Sequence, residues 1–122
     1  MVQHSTQLST LDNSGAKIIE CINVLQRHPK NRGITGQYII ITVKKKGLTT
    51  KVKKGQVLKG IIINTKFNIL RKNGLKLKFS QNNAILLNEQ LLPLGTRITG
   101  PLTRELRLKK FMKLISMSKR II

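Results

Sequence analysis

Along most of this chain apolar and polar residues alternate with a period of two, which is how strands with one buried face read. Gln7-Leu8-Ser9-Thr10-Leu11 is the first such run. It stops at Asp12-Asn13-Ser14-Gly15, a turn cluster whose short polar side chains can bond their own backbone and whose glycine accepts positive φ. Ile18, Ile22 and Val24 fall on even positions and predict a second strand from Ala16 to Leu25. Tyr38 to Val43 and Val57 to Thr65 are largely β-branched or aromatic and predict two more. His28-Pro29-Lys30-Asn31-Arg32-Gly33 reads as a loop from its Pro, Asn and Gly.

Asn73-Gly74 is the strongest short-range hairpin signal in the chain and predicts a two-residue type I′ turn. That register sets Lys72 opposite Leu75, Arg71 opposite Lys76, Leu70 opposite Leu77 and Ile69 opposite Lys78. Leu70, Leu75, Leu77 and Phe79 then share one face, and Arg71, Lys76 and Lys78 the other. Like charges directly opposite one another destabilise a free hairpin, so an anion covering the basic face is expected.

The last quarter changes period. Pro93, Gly95, Gly100 and Pro101 punctuate a loop, and Pro101 suits the first turn of a helix. Leu106, Phe111, Met112, Leu114 and Ile115 then spread over helical spacings, with Arg104, Arg107, Lys109, Lys110 and Lys113 between them. One or two short helices are expected. No repeat, linker or low-complexity tract divides the chain, so residues 1–122 read as one domain, a barrel to about residue 100 and a helical tail over about 101–122. Several short strands closed by such a tail predict a mainly β fold, a small barrel with a C-terminal appendage.

Charge changes what that barrel is for. The 122 residues carry Lys+Arg 24 against Asp+Glu 4, a net charge of +20. The acids are Asp12, Glu20, Glu89 and Glu105; 15 basic residues lie between Glu20 and Glu89 with no carboxylate among them. Self-repulsion at that charge opposes compaction, so a polyanion is the expected partner. A lysine run alone is an ordinary solvated face. Here the excess continues from Lys44, Lys45, Lys46, Lys51, Lys53 and Lys54 through Lys66, Arg71, Lys76 and Lys78 to Arg104 and Arg107, and these twelve are the candidate RNA contacts. Lysine outnumbers arginine 17 to 7, and aromatics are 3% (Tyr38, Phe67, Phe79, Phe111). A lysine meets phosphate as a point charge where arginine forks to a base edge, so the expected mode follows the backbone of a folded nucleic acid.

Other chemistries fall away. Four scattered acids give no carboxylate pair, and the one cysteine, Cys21, gives neither a disulfide nor a zinc framework. Gly55 to Gly60 has phosphate-loop spacing but continues Ile61-Ile62, without the lysine and hydroxyl that loop requires. His4 and His28 lie in polar surroundings with no orienting carboxylate nearby in sequence. No enzyme activity, metal or cofactor is expected. The longest apolar runs, such as Ala84-Ile85-Leu86-Leu87, fall far short of the ~20 residues that span a bilayer, so no membrane partner is expected either. Lys, Ile and Asn supply 17, 16 and 9 residues, all from A/T-rich codons, a skew that fits an A/T-rich genome such as many organelle genomes and those of some free-living bacteria. The first basic residue is Lys17 and the first arginine Arg27, unlike a transit peptide, so if the protein works in an organelle, synthesis there and not import is expected.

The residues also resemble a known family, the universal large-subunit ribosomal protein fourteen in its bacterial and organellar form. The likeness runs through Asp12-Asn13-Ser14-Gly15-Ala16, Lys51-Val52-Lys53-Lys54-Gly55, Val57-Leu58-Lys59 and Thr65-Lys66. It continues with Gly60, Ile61-Ile62-Ile63, Asn73-Gly74, Phe79 and Asn82, then Gly95-Thr96-Arg97-Ile98, Gly100-Pro101, Thr103 to Arg107 and Lys110 to Lys113. Gln56 and Ser80 stand where the family commonly carries carboxylates. The resemblance implies a five-stranded β-barrel with a projecting β-ribbon and short C-terminal helices, bound to large-subunit rRNA beside neighbouring ribosomal proteins. It implies a place at the subunit interface, touching small-subunit rRNA across a bridge, with a ribosome-silencing factor as a further partner. Thr96, Arg97 and Lys113 match the interface positions. The expected setting is the mitochondrial ribosome, with plastid and bacterial cytoplasm as alternatives. A basic architectural nucleic-acid-binding protein outside the ribosome is the competing class.

Overall fold

The computed structural model describes residues 1–25, 32–48 and 51–122. The loop expected at 28–33 therefore lies largely outside the described residues, as do Thr49 and Thr50 of the basic segment.

Five strands close a barrel in the order β1 (Gln7–Thr10), β2 (Ala16–Val24), β3 (Tyr38–Lys46), β4 (Val57–Asn64) and, after a small hairpin, β7 (Asn83–Leu87). All neighbours are antiparallel except β1 and β7, which close the barrel in parallel with Ser9 opposite Asn83. The four strands predicted are present, β3 three residues longer than its apolar core, but β2 turns Ile19 and Cys21 into the barrel and not the even positions that predicted it, leaving Ile22 exposed. β7 had no alternation to read, and the structure gives the reason. Ile62, Ala84 and Leu86 point into the barrel, while Ile61, Ile63, Ile85 and Leu87 are buried outside it beneath the C-terminal tail. A strand buried on both faces is apolar at every position.

Two cores result. Leu8, Ile19, Cys21, Ile39, Ile41, Val43 and Val52 join the inward residues of β4 and β7 inside the barrel. Outside, Ile98, Leu102, Leu106, Leu114 and Ile115 cover the outer face of β4 and β7. That second core carries helices α1 (Glu105–Leu108) and α2 (Met112–Ser116), which at 4 and 5 residues are far too short to hold themselves. Pro101 precedes α1 by four residues instead of opening it.

α1 ends in a Schellman turn. The Phe111 amide donates to the Leu106 carbonyl (3.1 Å) and the Lys110 amide to the Arg107 carbonyl (3.0 Å), with Lys110 at φ 65°. Glycine is the usual residue at that left-handed position, and a lysine there gives no sequence signal for the stop.

The hairpin corrects its predicted register. In β5 (Ile69–Leu70) and β6 (Lys76–Leu77), Ile69 lies opposite Leu77 and Leu70 opposite Lys76. The Arg71 amide donates to the Leu75 carbonyl (2.9 Å), and the Gly74 amide closes a turn onto the Arg71 carbonyl (3.0 Å). Gly74 is at φ 83°, and Asn73 is not left-handed. The loop is thus three residues, a type I turn followed by a left-handed glycine, in place of the two-residue type I′ turn. One residue of shift exchanges the faces. Arg71 now points with Ile69 toward the body, and the expected Arg71–Lys76 repulsion does not arise.

Candidate nucleic-acid interface

The register places the candidate residues at two ends of the barrel. At one end lie the β1–β2 turn, the end of β3 and the start of β4, since Ala16 pairs with Lys46 and Thr42 with Val57. Lys44, Lys45, Lys46, Lys51, Lys53 and Lys54 are all exposed there. Lys44, Lys45 and Lys46 are the exposed end of β3, and Lys51, Lys53 and Lys54 flank Val52, which is 1% exposed and belongs to the barrel core. It plugs the mouth while its lysine neighbours face water. The Gly55 amide on the Val43 carbonyl (2.8 Å) and the Gly47 amide on the Gly15 carbonyl (2.6 Å) pin the segment to the barrel. Lys17 joins this group: its exposed side chain runs beside Gly47, 3.5 Å from where a Cβ would stand there. Sequence reasoning missed Lys17; its signal was the outward parity of the residue just after the Gly15-Ala16 turn.

The opposing charge at this end is slight. Lys44 Nζ lies 3.5 Å from Glu20, an ion pair with the lysine side chain 48% exposed, and such pairs contribute little. Asp12 turns inward, accepting from the Ser14 hydroxyl (2.6 Å) and the Leu86 amide (3.2 Å). Burial pushes its carboxyl above the ordinary range, and these hydrogen bonds oppose that shift.

The hairpin group occupies the far end, about eight strand residues or roughly 27 Å away. Lys66, Lys76 and Lys78 are exposed. Arg71 is not among the free cations: its guanidinium donates to both Glu105 oxygens (2.7 and 3.3 Å) and to the Ile122 carbonyl (2.9 Å). Glu105 is pushed up by partial burial, but the hydrogen bonds and charge of Arg71 more than offset this and hold it below the usual range. Among the described residues Lys44 and Arg71 are the basic side chains that meet a side-chain carboxylate. Arg104 and Arg107 lie exposed on and just before α1. The structure thus brings the lysine loop together and separates it from the hairpin and helix residues.

Thr96, Arg97 and Lys113 are all exposed. Asn13 shapes the loop carrying the first two: its Oδ1 accepts from the Thr96 amide (2.8 Å) and the Arg97 amide (3.2 Å), and its Nδ2 donates to Thr96 Oγ1 (2.8 Å). Gly95 makes this possible, since a Cβ there would stand 2.8 Å from Asn13 Oδ1 and 2.9 Å from Asp12 Cβ. The next residue, Ile98, bridges to Ser118 just beyond α2, the helix that carries Lys113.

Among the described residues no group of three or more His, Cys, Asp or Glu gathers as for a metal. No helix there is long and apolar enough to cross a membrane. Cys21 is buried, and burial pushes its thiol up to about 11. The family model for ribosomal protein L14p/L23e matches this chain over residues 1–122.

Proposed function

The chain belongs to the ribosomal protein L14p/L23e family, a structural protein of the large ribosomal subunit, and from that premise we propose that it binds large-subunit rRNA chiefly through phosphate contacts from its lysine-bearing barrel mouth. The observation that carries this reading is the barrel mouth, where the end of β3 and the segment anchored by Val52 leave six lysines facing water with Glu20 as the one carboxylate paired among them. Lysines fixed on a rigid scaffold displace counterions from a phosphate backbone and read no sequence. Lys66, Lys76 and Lys78 at one hairpin, with Arg104 and Arg107 near α1, supply a second contact zone, so the RNA follows the long axis of the barrel.

Thr96, Arg97 and Lys113 form the surface offered to the other subunit. Their exposure and the Asn13 brace support that role, because a preformed loop costs little ordering entropy on binding. The partners on that side are small-subunit rRNA across a bridge, neighbouring ribosomal proteins and, competing with subunit joining, a silencing factor. The A/T-codon bias supports a mitochondrial ribosome as the setting. Sucrose-gradient sedimentation tests the reading: the tagged chain migrates with large subunits, whereas a chain that stays at the top of the gradient contradicts it. Charge reversal at Arg97 and Lys113 should leave incorporation intact and reduce joined subunits; unchanged joining would remove these residues from the interface.

A further inference from the structure

At the root of the hairpin an apolar pocket of about 260 Å³ opens between the strand-connecting segment at 34–35, the residues after β4 and α1. Its walls are Ile34, Ile69 and Phe67, and Asn68 lies on its rim. Phe67 is 47% exposed, the one aromatic of four that stands clear of the fold. By contrast Tyr38 and Phe111 pack edge to face at 5.6 Å, and Phe79 is half-buried.

The ring is held in place by its backbone. The Thr65 hydroxyl donates to the Phe67 carbonyl (3.2 Å), the Lys66 amide to Asn82 Oδ1 (2.8 Å), and the Phe79 amide to the Thr65 carbonyl (3.2 Å). One cation borders it: Lys109 lines the pocket with its Nζ on the Thr35 carbonyl (2.9 Å), whereas Lys66, next to Phe67 in the chain, lines a separate cleft beside Gln7 and Asn82. The one acid at the pocket, Glu105, is already paired with Arg71.

We propose that this pocket takes a single unpaired nucleobase of the bound RNA, stacked on Phe67, with Lys109 beside the adjoining phosphate. The reasoning is chemical. An exposed aromatic beside a lysine is the platform on which single-stranded bases stack, and stacking tolerates any base because every base has a π-face. The pocket falls just under the ~300–1,000 Å³ that drug-sized ligands occupy, which suits one flat ring system. A neighbouring protein's apolar side chain would also fit the walls, but it would gain nothing from Lys109. Composition argues for backbone-following contact as the main mode; this site adds one base to it.

The inference rests on the RNA reading above, and the test separates the two. The probes are an oligoadenylate of about 12 nucleotides, within the ~4–16 that small barrels cover, and an RNA duplex of the same length. Phe67→Ala should weaken oligoadenylate binding by about 5- to 150-fold. Its salt slope should stay unchanged because no phosphate contact is lost, and duplex binding should not move. Phe67→Leu keeps apolar bulk without a π-face and should fall with Phe67→Ala. Phe67→Trp introduces the chain's first tryptophan; it should retain affinity, and oligoadenylate should quench its fluorescence. If the wild-type chain binds neither probe, the RNA reading fails and this inference with it. If it binds both and the Ala and Leu variants bind as the wild type does, the pocket assignment alone is overturned, and an apolar protein contact replaces it.

Discussion

At the scale of single residues, charge is placed by what each group touches more than by its type. Arg71 is the clearest case, a hairpin cation whose donors are taken by Glu105, 34 residues away in sequence. It ties the hairpin to α1. Arg71→Gln should therefore speed hydrogen exchange at the Gly74 amide, which bonds the Arg71 carbonyl, while barely moving the salt dependence of RNA binding. A large drop in salt slope would instead make Arg71 a phosphate contact.

The same pair sets an acid dependence. Because the folded state holds Glu105 below its ordinary 4.5, the unfolded chain binds more protons below that pH. The stabilisation is then present above about pH 4.5 and is lost as pH falls through the folded value. Asp12 runs the other way: raised above 3.8 by burial, it favours the folded state more as its carboxyl protonates. Glu105→Gln should flatten the loss of stability on acidification, and urea midpoints between pH 3 and 6 would check it. A steeper loss in the variant would contradict the assignment.

Among elements, the stop between α1 and α2 has a cost. Lys110 holds φ 65°, a conformation that costs an L-residue about 1–2 kcal/mol and glycine far less. Lys110→Gly should therefore raise stability by up to about 1 kcal/mol, once glycine's greater unfolded-chain entropy is subtracted. A thermal or urea melt reads it, and destabilisation would mean that the lysine stem is contributing packing. The short helices depend on the outer core, so Leu106→Ala, at a position 0% exposed, should cost about 2–5 kcal/mol. A loss under 1 kcal/mol would show that the tail is only loosely seated.

How much of this was legible follows from the same elements. β1 was readable from alternation, and β3 and β4 from their β-branched and aromatic residues, although β4 is buried on both faces just as β7 is. β7 offers neither signal, since Ala84-Ile85-Leu86-Leu87 is apolar throughout with a single β-branched residue. The hairpin's existence followed from Asn73-Gly74, but its register did not: the same dipeptide serves a two-residue turn and a three-residue turn closed by a left-handed glycine. The lysine loop was legible as charge, whereas Val52, which anchors its second half, was hidden in the middle of the run. Phe67 was visible only as one aromatic among four, since exposure is a property of the packed chain.

For the molecule as a whole, the barrel carries exposed basic groups at both ends, and Asp12, Glu20 and Glu105 of its four acids are engaged by hydrogen bonds or ion pairs. Such a body adheres to phosphate by counterion release. The most direct test is the salt dependence of binding to large-subunit rRNA, comparing the wild-type chain with one in which Lys44, Lys45, Lys46, Lys51, Lys53 and Lys54 are all glutamine. The log–log slope should fall by about 0.7–0.9 for each phosphate contact removed, with affinity dropping at low salt and converging on wild type at high salt. An unchanged slope would contradict the account and leave the loop a solvated face.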